Sequence, residues 1–401
     1  ADSADGVDGA DATESSDGSD AVDGGADAGG SPELITFDEV TTDKNGDSQT
    51  FEFTLPDDAY SFHLNGVSTA GTYVTVGSLV APDGAKLVAK NWYLNPQVGS
   101  QVCSICKVRV VSAETAHGAL VPSSPDVSVQ PGKYTFTLHT FTQQSDGFNA
   151  PIVTAVSRKL SAYVLIQRRA GGAPLSSTLN LNLNFTGAGG LTAASAPSDA
   201  RITKALAKFT TIYATIGVTV GEVRYIDIDP GFQKVESLSG PGNDFETAAA
   251  LTKDNEPGVN FIFVDTIADS SSPFGGFGVI LGIAGGIPGP GAHGTGRSAV
   301  FVSLQEIPQQ PGQPASDGFG QVMAHEGGHY LGLFHSSELS FGFGQGTHDP
   351  LPDTAENDQQ NLMYYSGVGQ ALSPNQGEVI RNNPSSPSPA IPLSSTASSA
   401  P

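Results

Sequence analysis

The chain has 401 residues, enough for two separately cored domains, and a formal charge of −23 at pH 7. That charge excludes nucleic acid and anionic membrane surfaces as partners, since both demand basic patches. No run of about 18 or more apolar residues is present to span a bilayer. Much of the acidity is local: residues 1–33 contain Asp2, Asp5, Asp8, Asp11, Glu14, Asp17, Asp20, Asp23, Asp27 and Glu33, with no Lys or Arg. Such a Gly/Ala/Ser/Asp composition cannot bury enough apolar surface to offset the entropy of ordering, so a disordered acidic tether is expected. The aspartate spacing lacks the glycine pattern of calcium-binding loops. With no methionine before Ala1 and no apolar signal core after it, a processed or trimmed product is expected.

Residues 34–170 carry short β-rich runs, among them Thr50–Leu55, Tyr73–Val76 and Tyr134–Leu138, separated by turn signals at Pro82-Asp83-Gly84 and Pro131-Gly132. This pattern predicts an antiparallel β-sandwich. His63, His117 and His139 lie here without ligand spacing and are read as structural or surface histidines. Cys103 and Cys106 are the only cysteines. Two readings stay open for them: a short-loop disulfide in an exported protein, or a thiolate that caps a catalytic metal in a latent form.

From residue 171 to 384 strands mix with helices. Leu179 to Phe185 alternates strictly, as a half-buried strand does, and Ile202, Leu206, Phe209 and Tyr213 mark one face of a helix that Gly217 ends. Val218–Ile228, Val259–Val264 and Ala299–Val302 add strands, and the order predicts a twisted mixed sheet. Gly278 to Gly286 is a glycine-rich segment, and His293 beyond it reads as a loop histidine. Residues 385–401 are Ser/Pro/Ala-rich and read as a flexible tail.

The chemistry concentrates in His325-Glu326-Gly327-Gly328-His329-Tyr330-Leu331-Gly332-Leu333-Phe334-His335. Residues four apart on a helix lie on one face, so His325 and His329 can aim at one ion. Glu326 beside them is placed to act on water as a general base. Gly332 can adopt positive φ, end the helix and swing His335 back as a third ligand, leaving one position on zinc open. Asp349 offers a rival third ligand, following His329 by 349 − 329 = 20 positions.

The HExxHxxGxxH string with Met363 in Asn361-Leu362-Met363-Tyr364-Tyr365-Ser366 resembles the metzincin zinc proteases, most closely the pappalysin family. Leu372-Ser373-Pro374-Asn375-Gln376 is similar to the segment that opens that family's last helix. The resemblance implies an α+β metzincin-like catalytic domain, a twisted mixed sheet with an active-site helix, after the antiparallel β-sandwich. It implies peptide-bond hydrolysis at Zn2+ with Met363 as a floor beneath the site, and Tyr365 donating to the oxyanion or simply packing beside the turn. It implies that the glycine-rich segment forms an edge strand that pairs with an extended peptide. It also implies Ca2+ among Asp349, Asp353, Thr354 and Asp358, although loop aspartates serve equally as turn residues. The β-sandwich is similar to pre-peptidase domains of secreted proteases. The acidic tether resembles the stretch behind the lipidated cysteine of bacterial surface lipoproteins, implying a lipid-anchored precursor, although no such cysteine is present.

The expectation is a secreted or bacterial cell-surface zinc endopeptidase acting on protein or peptide substrates, with no nucleic-acid partner and no transmembrane segment. The alternative is a surface adhesion or binding protein whose zinc domain is vestigial.

Overall fold

A computed structural model describes residues 32–94, 102–144, 152–169, 171–268, 280–305, 318–337, 348–367 and 369–385. The acidic segment through residue 31, Gly278, Val279 and the C-terminal stretch from 386 lie outside the described residues. The first ten strands are β1 (Glu33–Thr41), β2 (Phe51–Leu55), β3 (Ala59–Val67), β4 (Tyr73–Val80), β5 (Lys86–Val88), β6 (Ala113–Glu114), β7 (Ala116–Val121), β8 (Gly132–Gln144), β9 (Ile152–Ala155) and β10 (Lys159–Arg168). They form two antiparallel sheets, ordered β1-β10-β3-β7 and β2-β8-β4-β5, with β6 added to β4 and β9 to β8. Glu33, expected in the tether, already pairs with Ile166 in β1 and forms a 2.9 Å ion pair with Arg168.

Period-two alternation explains how these sheets close. Phe62 and Leu64 of β3 meet Tyr134, Phe136 and Leu138 of β8 in one core between the sheets. The intervening residues of β3 face the rest of the chain. Ser61 Oγ donates to the Asn382 carbonyl at 2.8 Å, and Asn65 Oδ1 accepts from the Gly291 N–H at 3.1 Å.

The second half continues with β11 (Ser177–Phe185), α1 (Ala200–Ala214), β12 (Val218–Asp227), β13 (Lys234–Val235), α2 (Asp244–Ala250), β14 (Val259–Val264), β15 (Thr266–Ile267), β16 (Gly282–Ala284), β17 (Val300–Ser303), α3 (Phe319–Tyr330) and α4 (Pro374–Asn382). Its main sheet runs β12-β11-β14-β17-β16, parallel throughout except that the edge strand β16 is antiparallel to β17. The chain is thus mixed α+β, with several antiparallel pairings and few helices. Leu181, Leu183 and Phe185 of β11 pack with Phe209 and Tyr213 of α1 and Met323 and Ala324 of α3, as the apolar periodicities require. β11 is not half-exposed, however: Asn182 and Asn184 on its other face are fully buried. Their amides are satisfied by Glu256 O at 2.6 Å and Phe261 O at 3.1 Å, which is how a polar face tolerates burial. Asp199 caps α1 by accepting from the Arg201 N–H, and α4 opens on a capping box between Ser373 and Gln376.

Candidate metal centre

Helix α3 is fixed before it offers any ligand: Tyr213 donates to the Ala324 carbonyl at 3.0 Å, and the Gln321 amide donates to Gly367 O and Gly369 O at 2.7 and 2.8 Å. Four-residue spacing then stacks His325 and His329 on one buried face. The helix ends at Tyr330, and Gly332 turns the chain at φ +115°, where a side chain is disfavoured and a Cβ would crowd Leu120 and Val379 at 3.2 and 3.3 Å. That turn brings His335 Nε2 to 3.1 Å from Nε2 of both His325 and His329.

Two backbone carbonyls set the protonation of the helical pair. His325 Nδ1 donates to Leu362 O at 2.6 Å and His329 Nδ1 to Leu333 O at 2.7 Å. A carbonyl only accepts, so each Nδ1 holds a proton, and in the neutral ring Nε2 then keeps its lone pair. Burial, reinforced by the two neighbouring imidazoles, holds His329 neutral, well below the usual histidine range. Three imidazole nitrogens converging on one point, two of them on rings oriented by a carbonyl behind, fit a divalent metal. His325, His329 and His335 are the only group of three such ligating side chains among the described residues.

The segment around Met363 ties this centre together. Met363 is fully buried, and a Cβ on Gly328 would come within 2.8 Å of its Sδ, so the helix lacks side-chain bulk where it crosses the methionine. Its backbone matters as much: Leu362 O orients His325, and Met363 O accepts from the Ser336 N–H at 2.8 Å, next to His335. Asn361 and Gln376, which sequence reasoning missed, exchange two side-chain amide bonds of 3.0 Å and anchor this turn on α4. An amide pair 15 residues apart has no periodic signature to betray it.

Glu326 follows the first histidine and is half-buried under β16. Its carboxyl accepts from the Ala284 N–H, and burial, the dominant influence, pushes it up to about 8. Gly282 permits this approach: a Cβ there would lie 2.5 Å from Glu326 Cγ. Leu281 O and Gly285 N are bonded toward β17 and its flank, so Gly282 and Ala284 point their backbone groups the other way, toward Glu326.

The other expected site residues lie elsewhere or are put to other uses. Tyr365 has its hydroxyl bonded to Tyr364, the main cause of its raised pKa, with ring centroids 4.6 Å apart. Asp349 is buried, accepting from Leu351 N at 3.0 Å and Thr354 Oγ1 at 2.6 Å, and does not join the three histidines. Asp353 accepts from Ser373 Oγ and Asn375 N at the start of α4, and Asp358 accepts from Gln360 N. The residues expected for calcium divide: Asp349 is hydrogen-bonded to Thr354, whereas Asp353 accepts at the start of α4 and Asp358 from Gln360. Cys103 and Cys106 form a disulfide, which leaves neither thiol to cap a metal. His293 faces the Asn255 and Gly258 carbonyls at 3.1 and 2.9 Å.

No known protein-family profile matches the chain, and no curated protein does. Among solved structures it is similar to metalloproteinase-II from Bacteroides fragilis, at 15% identity and a TM-score of 0.27, covering 55% of this chain and 62% of that one. It is also similar to a family two carbohydrate esterase from Cellvibrio japonicus, at 7% identity and a TM-score of 0.14, covering 61% of this chain and 67% of that one. The chain thus spans less than two thirds of the metalloproteinase. Likenesses this distant leave the site to be read from its own geometry.

Proposed function

We propose that the chain is a metzincin-type, pappalysin-like zinc endopeptidase of the bacterial exterior, secreted or surface-attached, that hydrolyses peptide bonds. The observation that carries this reading is the meeting of three imidazole Nε2 atoms, two of them on rings oriented by carbonyls, beside the half-buried Glu326. His325, His329 and His335 hold the ion. Bound there, zinc supplies Lewis acidity toward a peptide carbonyl and toward water. Glu326 takes the proton from the attacking water and later delivers it to the leaving amine. Positive charge at the histidines favours its carboxylate over the buried acid, which brings its proton exchange closer to neutrality.

The outward backbone of β16 supports a peptide substrate, because an extended chain can add to a sheet edge. Such a peptide competes for the Ala284 N–H that Glu326 now occupies, so substrate binding releases the base. Tyr365 is assigned to the oxyanion and must exchange its bond to Tyr364 for one to the reacting carbonyl. The Cys103–Cys106 disulfide favours an oxidising, extracytoplasmic setting. Casein digestion with and without a chelator tests the proposal. Loss of cleavage in chelator and its return with zinc is the expected result, and undiminished cleavage in chelator refutes it.

A further inference from the structure

We infer that Arg109, carried by the segment that follows the Cys103–Cys106 bridge in the N-terminal sheets, is a positioning residue for the third metal ligand, His335. The inference rests on the metal-centre reading above and gives the N-terminal sheets a part in it. Its basis is an asymmetry among the ligands. His325 and His329 sit on one helix, whereas His335 lies beyond it on a loop that the Ser336 N–H fastens to Met363 O at 2.8 Å and that Arg109 meets from the N-terminal sheets.

The loop that presents Arg109 is pinned at several points. Cys103 is bridged to Cys106, its N–H donates to Val110 O at 2.9 Å, and the Val108 N–H donates to Leu87 O at 2.9 Å. Val108 and Val110 are both fully buried in the core between the N-terminal sheets. With both neighbours inserted there, Arg109 turns away from that core toward the metal centre.

Arg109 meets both limbs of the loop that bears His335. Its guanidinium carbon lies 5.2 Å from the centroid of the Phe334 ring, next to the ligand, and its Nη1 donates to the His348 carbonyl at 2.9 Å on the returning limb. The limbs are also joined to each other, because His348 Nδ1 donates to the Ser336 carbonyl. Beneath them Asp349 is buried, with one carboxylate oxygen lacking a hydrogen-bond partner among the described residues; burial raises its pKa, and the Arg109 charge is the smallest of the influences that oppose this. One cation therefore stacks on the outgoing limb and bonds the returning limb. Arginine suits this task better than lysine, since a planar guanidinium can stack and donate at once.

The test uses the full chain loaded with Co2+ or Zn2+, in wild type, Arg109→Ala, Arg109→Lys and Phe334→Leu forms. The readouts are the rate of metal release to a chelator, the visible spectrum of the Co2+ form, and kcat and KM on a casein-derived peptide. Arg109→Ala is expected to release metal about tenfold faster or more and to change the Co2+ bands, with Arg109→Lys intermediate. Release and spectrum equal to wild type in Arg109→Ala overturn the inference while leaving the peptidase reading intact. If Arg109→Ala does not fold, Phe334→Leu decides: faster release supports the inference, and an unchanged rate overturns it. A wild-type protein that takes up neither metal overturns the site reading and this inference together.

Discussion

The N-terminal sheets and the α3 region both bury histidines, and they treat them in opposite ways. His63 and His117 are enclosed with none of their four ring nitrogens hydrogen-bonded among the described residues, and burial pushes both down to about 3. His325 and His329 are buried as well, but each has its Nδ1 on a carbonyl and its Nε2 facing His335. Burial alone makes a histidine a neutral core residue. Orientation from behind, repeated at two rings and met by a third, makes a group that could hold a metal.

Breaking that contrast on the metal side has the largest expected effect. His335→Ala removes the third ligand and should lose both bound metal and hydrolysis, while Asp349→Asn should keep its metal. Metal content by elemental analysis decides between them, and the opposite pattern would transfer the ligand role to Asp349. Glu326→Ala should retain metal and lose about 10³-fold in kcat/KM, within the usual range for a general base. Retained activity would remove Glu326 from the mechanism.

The N-terminal side answers to pH instead. His63 and His117 are neutral when folded and have an ordinary pKa near 6.5 when unfolded, so the unfolded chain binds more protons below that value. Their contribution is complete above pH 6.5 and is lost progressively as pH falls toward about 3, by about 2 kcal/mol per histidine at pH 5. Urea unfolding at pH 7.5 and pH 5 should show this loss, and His117→Leu should reduce it. An equal pH dependence in that variant would contradict the assignment. Tyr365→Phe has the smallest expected effect, roughly tenfold in kcat with metal content unchanged. A drop in metal content instead would make it a structural residue.

Legibility in the sequence follows the range of the forces involved. The three-histidine cluster could be read because helix periodicity and a positive-φ glycine are local properties of eleven residues, and Val259–Val264 because a β-rich run declares itself. The Asn361–Gln376 pair, the Ala284 bond to Glu326 and the reach of Arg109 to His348, 239 positions away, could not be read. Each joins segments that only the folded sheets bring together. The interval expected to hold calcium includes such a long-range contact too: Asp353 caps α4, whereas Asp349 is buried with the nearby Thr354.

The central claim is that three imidazole nitrogens hold one divalent ion, and X-ray absorption at the zinc edge of the loaded protein tests it most directly. The account predicts three imidazole shells at about 2.0–2.1 Å with one lighter oxygen ligand. Two imidazoles with a carboxylate, or a shell of sulfur, would contradict it.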